Sequence, residues 1–294
     1  MVKMTTNEPH IADVAASISQ PAMIEAEHIA PLTHIEAGIM ARVELERFLG
    51  RVKTLSAADW DQPTDCTLWN VRQVLAHQAG AYAGFASWSQ FMRQWSQLFK
   101  KRQPGQFSVD LVNQLQVADR ANASPAELIA ELSEVGPKAI ATRQRLPAAL
   151  RALRFPFGPP LGFVRFDYLT DLIYTRDTWS HRLDICRATG REMVLTSDHD
   201  GRMLALVMRD LAGKLHLELK DSAIAFKLTG TAGGNWRVGP GENPVASIQM
   251  DALDFSRLSS GRLNPDEARD QSLVVINGDA QMANYILANT SVPY

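Results

Sequence analysis

Three residues in this chain have the types and spacing to hold a metal ion. Asp177 and His181 lie four apart in a segment, Asp167 to Gly190, that reads as one continuous helix, and this spacing stacks both side chains on one helical face. His77 stands late in a second helical motif, TLWNVRQVLAHQ, Thr67 to Gln78. Two helices of a bundle, one giving a His and the other a carboxylate-x3-His pair, would place three N/O donors around a divalent ion with room for substrate. The same spacing also suits an ordinary surface pair or hydrogen bond, so the residues alone leave both readings open. Asp184, three residues past His181, can accept an imidazole N–H or pair with Arg187 or a neighbouring helix. Arg176 and Arg182 read either as attractors of an anion or as solvated surface charge, and His34, His199 and His216, lacking partner spacing, as structural or exposed.

The elements that must carry these residues follow from periodicity and punctuation. A first helix is expected from about Thr33 to Leu55, with Ile35, Ile39, Val43, Phe48, Leu49 and Val52 at helical intervals. The loop SAADWDQPTDC ends it, and Thr67 is expected to cap a second helix running from Leu68 through His77 to Lys100, Lys101 and Arg102. Along it, Tyr82, Phe85, Trp88, Phe91 and Trp95 read as core and inter-domain packing. Ser124, Pro125 and Glu127 mark the start of a third helix, expected to reach about Leu153 with a bend near Gly136 and Pro137. The stretch FPFGPPLGF, residues 155–163, is a rigid connector, and the fourth helix, Asp167 to Thr189, ends at Gly190. Four helices of this length predict an antiparallel four-helix bundle.

After Gly190 the texture changes. One more helix, about His199 to Gly213, precedes strands at Ala223 to Leu228, Asn235 to Val238 and Val245 to Met250. Two short helices, a strand at Leu273 to Ile276 and a final helix from Asp279 to about Ala288 complete the chain. This predicts a small α+β domain of antiparallel strands with helices at one side. The expected organisation is an arm of uncertain order over residues 1–30, a bundle over 31–192 and an α+β domain over 197–294. The glycines of TGTAGG match neither a dinucleotide fingerprint nor a phosphate-binding loop and suit a hairpin.

Composition narrows the function classes. With 294 residues, 46% of them hydrophobic, the chain can bury a large core, and a net charge of -2 argues against nucleic acid or an anionic membrane as partner. Two cysteines, Cys66 and Cys186, make no disulfide framework or metal finger. There is neither a secretory pattern nor a run of about 18 apolar residues, so a cytoplasmic protein is expected. No serine lies in a nucleophile elbow.

TLWNVRQVLAHQ followed about a hundred positions later by YTRDTWSHRLDICRATGRE resembles the mycothiol-dependent maleylpyruvate isomerase family, whose metal-binding bundle belongs to the DinB-like superfamily. Farther on, MDALDFSRLSSGRL and VINGDAQMANYILAN resemble that family's sterol-carrier-like tail, so the likeness spans about residues 31–294. The resemblance implies a divalent metal, usually zinc, held at the positions of His77, Asp177 and His181. It also implies a basic residue from the C-terminal domain at the site, with Arg262 in SSGRL, or else Arg257, as the match. Asp177 departs from the family pattern, which has Glu there, and the arm is shorter by one methylene. Three protein ligands leave a catalytic position open, where a low-molecular-weight thiol of the mycothiol type would become a thiolate. The expected function is isomerisation or group transfer on a small electrophile by a monomer or homodimer, with neither cysteine needed as nucleophile. An apolar-ligand carrier and a metal-binding stress or regulatory protein without turnover are the other two classes.

Overall fold

The computed structural model describes residues 23–100, 108–158 and 162–294. Its first large helix, α1 (His34–Val52), starts under a reciprocal cap in which Thr33 accepts from the Glu36 N–H and the Glu36 carboxylate accepts from the Thr33 N–H. α2 (Val71–Ala86) begins three residues later than Thr67 would place it. Thr64 Oγ1 donates to the Trp69 carbonyl at 2.7 Å, holding residues 64–69 in a closed turn, and Asn70 with Gln73 supplies the cap. An extended Ser87 then ends α2, and the chain resumes as α3 (Trp88–Trp95), so the long second helix is two helices. Of its aromatics, Tyr82 and Phe85 are core residues, whereas Trp88 is exposed. Lys101 and Arg102 lie outside the described residues.

α4 (Ser108–Ala118), which the sequence reading passed over, fills the gap before α5 (Pro125–Gln144), and α5 starts at the Ser124, Pro125, Glu127 signal. A short α6 (Ala148–Arg151) follows. The stretch read as a connector folds as a hairpin of β2 (Arg154–Gly158) and β3 (Gly162–Arg165), whose residues 159–161 lie outside the described ones. A wide π-helical stretch, Tyr168–Ile173, leads into α7 (Tyr174–Ala188). α7 stops at Gly190, whose φ of +62° suits a residue without Cβ while Arg191 N–H returns to the Cys186 carbonyl at 2.8 Å. Helices α1, α2, α5 and α7 form the four-helix bundle, with α7 lying against both α1 and α2.

The C-terminal part is a mixed sheet flanked by helices. α8 (Arg202–Leu219) runs past Gly213, carrying Leu215 and Leu219 into the core. The strands are β4 (Ile224–Thr229), β5 (Gly234–Val238), β6 (Ala246–Asp251) and β7 (Val274–Gly278), with α9 (Ala252–Ser259), α10 (Pro265–Asp270) and α11 (Ala280–Ala288) between and after them. Together with β1 (Ile24–Glu25) they order as β1-β5-β4-β6-β7. The expectation of purely antiparallel strands is corrected at two places: β6 lies parallel to β4, and β1 parallel to β5. The first follows from residues 239–245 crossing the start of β4, where a Cβ at Gly239, with φ of +100°, would stand 2.5 Å from the Ser222 carbonyl oxygen. The second brings part of the segment read as an arm onto the sheet edge, whereas residues 1–22 of that arm lie outside the described ones.

α7 is buried on nearly every side, from Thr175 to Cys186, although its sequence is highly polar. Trp179, Leu183 and Cys186, at helical spacing, enter the core shared with α8 and the sheet, while Ile185 enters the bundle core. Its arginines and aspartates tolerate this because each meets a partner from another element. Arg176 and Arg182 are therefore not surface charges: Arg176 donates to Asp210 and the Pro293 carbonyl, and Arg182 grips Glu44 and Asp200.

Candidate metal centre

His77 from α2 and Asp177 and His181 from α7 converge, their ligand atoms all within 4.8 Å of one another. His77 Nε2 lies 3.2 Å from Asp177 Oδ2, and His181 Nε2 lies 3.4 Å from Asp177 Oδ1. Both imidazoles are buried, whereas the Asp177 side chain keeps 24% of its surface, so the cluster opens toward solvent at its carboxylate. Trp69, at the turn before α2, stacks on His77 with centroids 4.7 Å apart and lies tilted against His181.

Behind His181 the polarity is set by Asp184, which receives His181 Nδ1 at 2.8 Å. A carboxylate only accepts, so Nδ1 carries a proton and Nε2 is the nitrogen that holds a second proton or a metal ion toward Asp177. Arg262, arriving from the loop after α9, donates Nε and Nη2 to the two oxygens of Asp184 at 2.7 and 2.9 Å. Arg257 stands farther back, paired with Asp65 and Asp254. The sequence reading weighed Asp184 as an acceptor for the imidazole or as a salt-bridge partner, and it is both, with Arg262 rather than Arg187 as the cation. Arg187 pairs with Asp65.

The electrostatics ask for positive charge between these donors. Burial pushes the Asp177 carboxyl up, but His181 and His77 outweigh it and hold it well below the usual carboxylate range. Burial also works against a charged His181, yet Asp177 and then Asp184 push its imidazole up to about 9. A lone pair facing a carboxylate is repulsive unless a proton or a metal cation lies between them, and two imidazoles with a carboxylate are a suitable donor set for a divalent ion. The residues fit such an ion. One feature departs from the usual pattern: His77 Nδ1 is buried without a hydrogen-bond partner.

Sequence reasoning missed Gln78, which donates Nε2 to Asp177 Oδ2 at 2.6 Å, and missed Trp69. It also left His199 and His34 without partners, though His199 meets Glu44 and His34 meets Asp171 at 2.8 Å each. Glu44, His199 and Asp200 form a second compact cluster. Its carboxylates are already taken by Arg182 and Arg47, and Trp179 Nε1 donates to Asp200, so it clamps α1 and α7 to the turn before α8. Cys66 belongs to the same loop as Trp69, and its thiol is pushed up to about 11 by burial, with Arg262 pulling the other way. It stays protonated at neutral pH.

Residues 41–186 match the family model for the mycothiol maleylpyruvate isomerase N-terminal domain, and residues 193–286 match the SCP-2 sterol transfer family. The chain belongs to the mycothiol maleylpyruvate isomerase family. Its fold is similar to that of two solved structures of the mycothiol-dependent maleylpyruvate isomerase, one a mutant with a histidine changed to alanine. The mutant structure aligns over 87% of this chain and 96% of its own at a TM-score of 0.54 and 14% identity. The other aligns over 82% and 92% at 0.53 and 14%. No curated protein matches the sequence. Both family segments meet at the cluster, since His181 lies in the first and Arg262 in the second. Among the described residues no helix is long and apolar enough to cross a membrane.

Proposed function

We propose that the protein is a divalent-metal-dependent isomerase or transferase that uses a low-molecular-weight thiol of the mycothiol type on a small electrophilic substrate. The observation that carries this reading is the convergence of His77, Asp177 and His181 around a partly exposed carboxylate, with Trp69 against both imidazoles. A divalent cation held by these three side chains, zinc being the usual choice, would supply the positive charge that turns a bound thiol into a thiolate at neutral pH.

The chain's own residues have separable parts. Asp184 fixes the tautomer and ring plane of His181 by accepting a hydrogen bond from its Nδ1–H. Arg262 holds Asp184 and brings a fixed positive charge from the C-terminal part, suited to an anionic substrate or developing negative charge. Trp69 covers one face of His77 and leans against His181, shielding that side of the cluster. Cys66, held protonated, leaves the nucleophile to be an added thiol. Asp177 in place of the family's Glu leaves the substrate open, a maleyl-type compound being the first to try.

The test is metal analysis and turnover on the same preparation, made without chelator or His-tag. One equivalent of divalent metal and thiol-dependent turnover of a maleyl-type electrophile are expected, and His181→Ala should abolish both. Full-rate turnover without thiol would point instead to hydrolytic chemistry. The SCP-2 match supports a second reading, an apolar-ligand carrier. Lipid at one equivalent with no bound metal would favour it, although Phe226, Phe255, Met203 and Leu215 fill the interior between the sheet and its helices.

A further inference from the structure

What reaches Asp177 from behind determines how its carboxylate is presented. Gln78 is fully buried one residue after His77, and its Nε2 donates to Asp177 Oδ2 at 2.6 Å. A carboxylate only accepts, so the amide must turn its nitrogen this way, and its Oε1 then faces Thr178 Oγ1 at 2.9 Å. Thr178 must give its single proton to that oxygen. Its hydroxyl is also 2.9 Å from the Tyr174 carbonyl, but donating there would leave the buried Gln78 Oε1 facing a lone pair without a hydrogen bond. With its proton spent, Thr178 Oγ1 can only accept from the Tyr82 hydroxyl, 3.1 Å away. Burial pushes that hydroxyl up, so it remains a donor, and the Arg143 guanidinium lies 5.6 Å from the Tyr82 ring centroid.

The hydrogen bonds therefore run one way, from Tyr82 to Thr178 to Gln78 to Asp177, crossing between α2 and α7 at each step. Every donor is made stronger by the one behind it. We propose that this relay is the positioning device of the metal centre: Gln78 ties down Oδ2, which His77 Nε2 also faces at 3.2 Å, and leaves Oδ1, which faces only His181 Nε2 at 3.4 Å, as the carboxylate oxygen for a divalent cation. Gln78, Thr178 and Tyr82 are positioning residues, and the inference rests on the metal reading above.

The experiment is a Co2+ titration of the full-length protein, followed by visible ligand-field absorption, with melting of the metal-free form as a folding check. Gln78→Leu should weaken Co2+ binding by about 10- to 100-fold and shift the absorption band. Thr178→Val should weaken it by a smaller factor, while Thr178→Ser, which keeps the hydroxyl, should restore wild-type binding. Adding Tyr82→Phe to Gln78→Leu should cost nothing further, because the last link is already gone. Wild-type affinity and spectrum in Gln78→Leu and Thr178→Val, with binding lost in His181→Ala, would overturn the relay and leave the metal reading standing. Fully additive losses of Gln78→Leu and Tyr82→Phe would overturn it too. If the wild type took up no Co2+, or His181→Ala bound it equally well, the metal reading itself would fall and the relay with it.

Discussion

His181 carries opposite consequences for the metal and for the fold. Its imidazole is pushed up to about 9, so a cation must displace a proton at neutral pH, and apparent metal affinity should rise about tenfold per pH unit until it levels off near 9. In the metal-free protein the sign reverses. The charged imidazole contributes stability that is fully present below its unfolded value of 6.5 and is lost as pH rises through about 9. Competition titrations with a chromophoric chelator and thermal melts over the same pH range check both, and a flat affinity profile would refute the first. Asp177→Glu should keep the metal and change turnover only modestly, since a small rotamer adjustment returns the oxygen to place; loss of bound metal in that variant would show the shorter arm to be required. The i,i+4 pair was legible in the sequence because one helix fixes it locally. Asp184 was legible for the same reason, whereas its tie to Arg262 spans 78 residues and the tie of His199 to Glu44 spans 155, distances that no local pattern encodes.

At the scale of elements, α7 serves the candidate site on one face and the clamp on another, and the two functions should separate by mutation. Asp184→Asn removes the negative charge behind His181 and leaves Arg262 without its carboxylate. Metal affinity should fall by about 10- to 100-fold, and stability by about 3 to 5 kcal/mol. Glu44→Gln strips Arg182 and His199 of their shared negative charge and should cost a similar stability while leaving metal affinity unchanged. Melting curves read beside metal titrations distinguish them, and equal metal loss in both variants would contradict the separation. Helix starts with strong caps, at Ser124 and Thr33, were readable from the chain. The start of α2 was not, because Asn70 with Gln73 competes with Thr67 and the closed turn favours Asn70. Nor was the parallel pairing of β4 with β6, since strand order depends on how residues 239–245 cross rather than on the alternation within either strand.

For the whole molecule, the sharing of α7 between two cores predicts one cooperative unfolding transition rather than two. A chain ended near residue 195 would bare Trp179, Leu183 and Cys186 and leave Arg176 without Asp210. Such a piece should aggregate or elute as a swollen species by size exclusion; a compact, metal-binding monomer would refute this. The parallel pairing of Ile24 and Glu25 with β5 carries a further consequence, one of timing. Glu25 is made 212 residues before Arg237, its partner in the sheet. At a synthesis rate of about 5 to 20 residues per second, that separation is a wait of roughly 10 to 40 s. The first described strand of the chain must therefore leave the ribosome without its sheet, while α1 and the rest of the bundle emerge behind it, and the edge it completes can close only once β5 has been made.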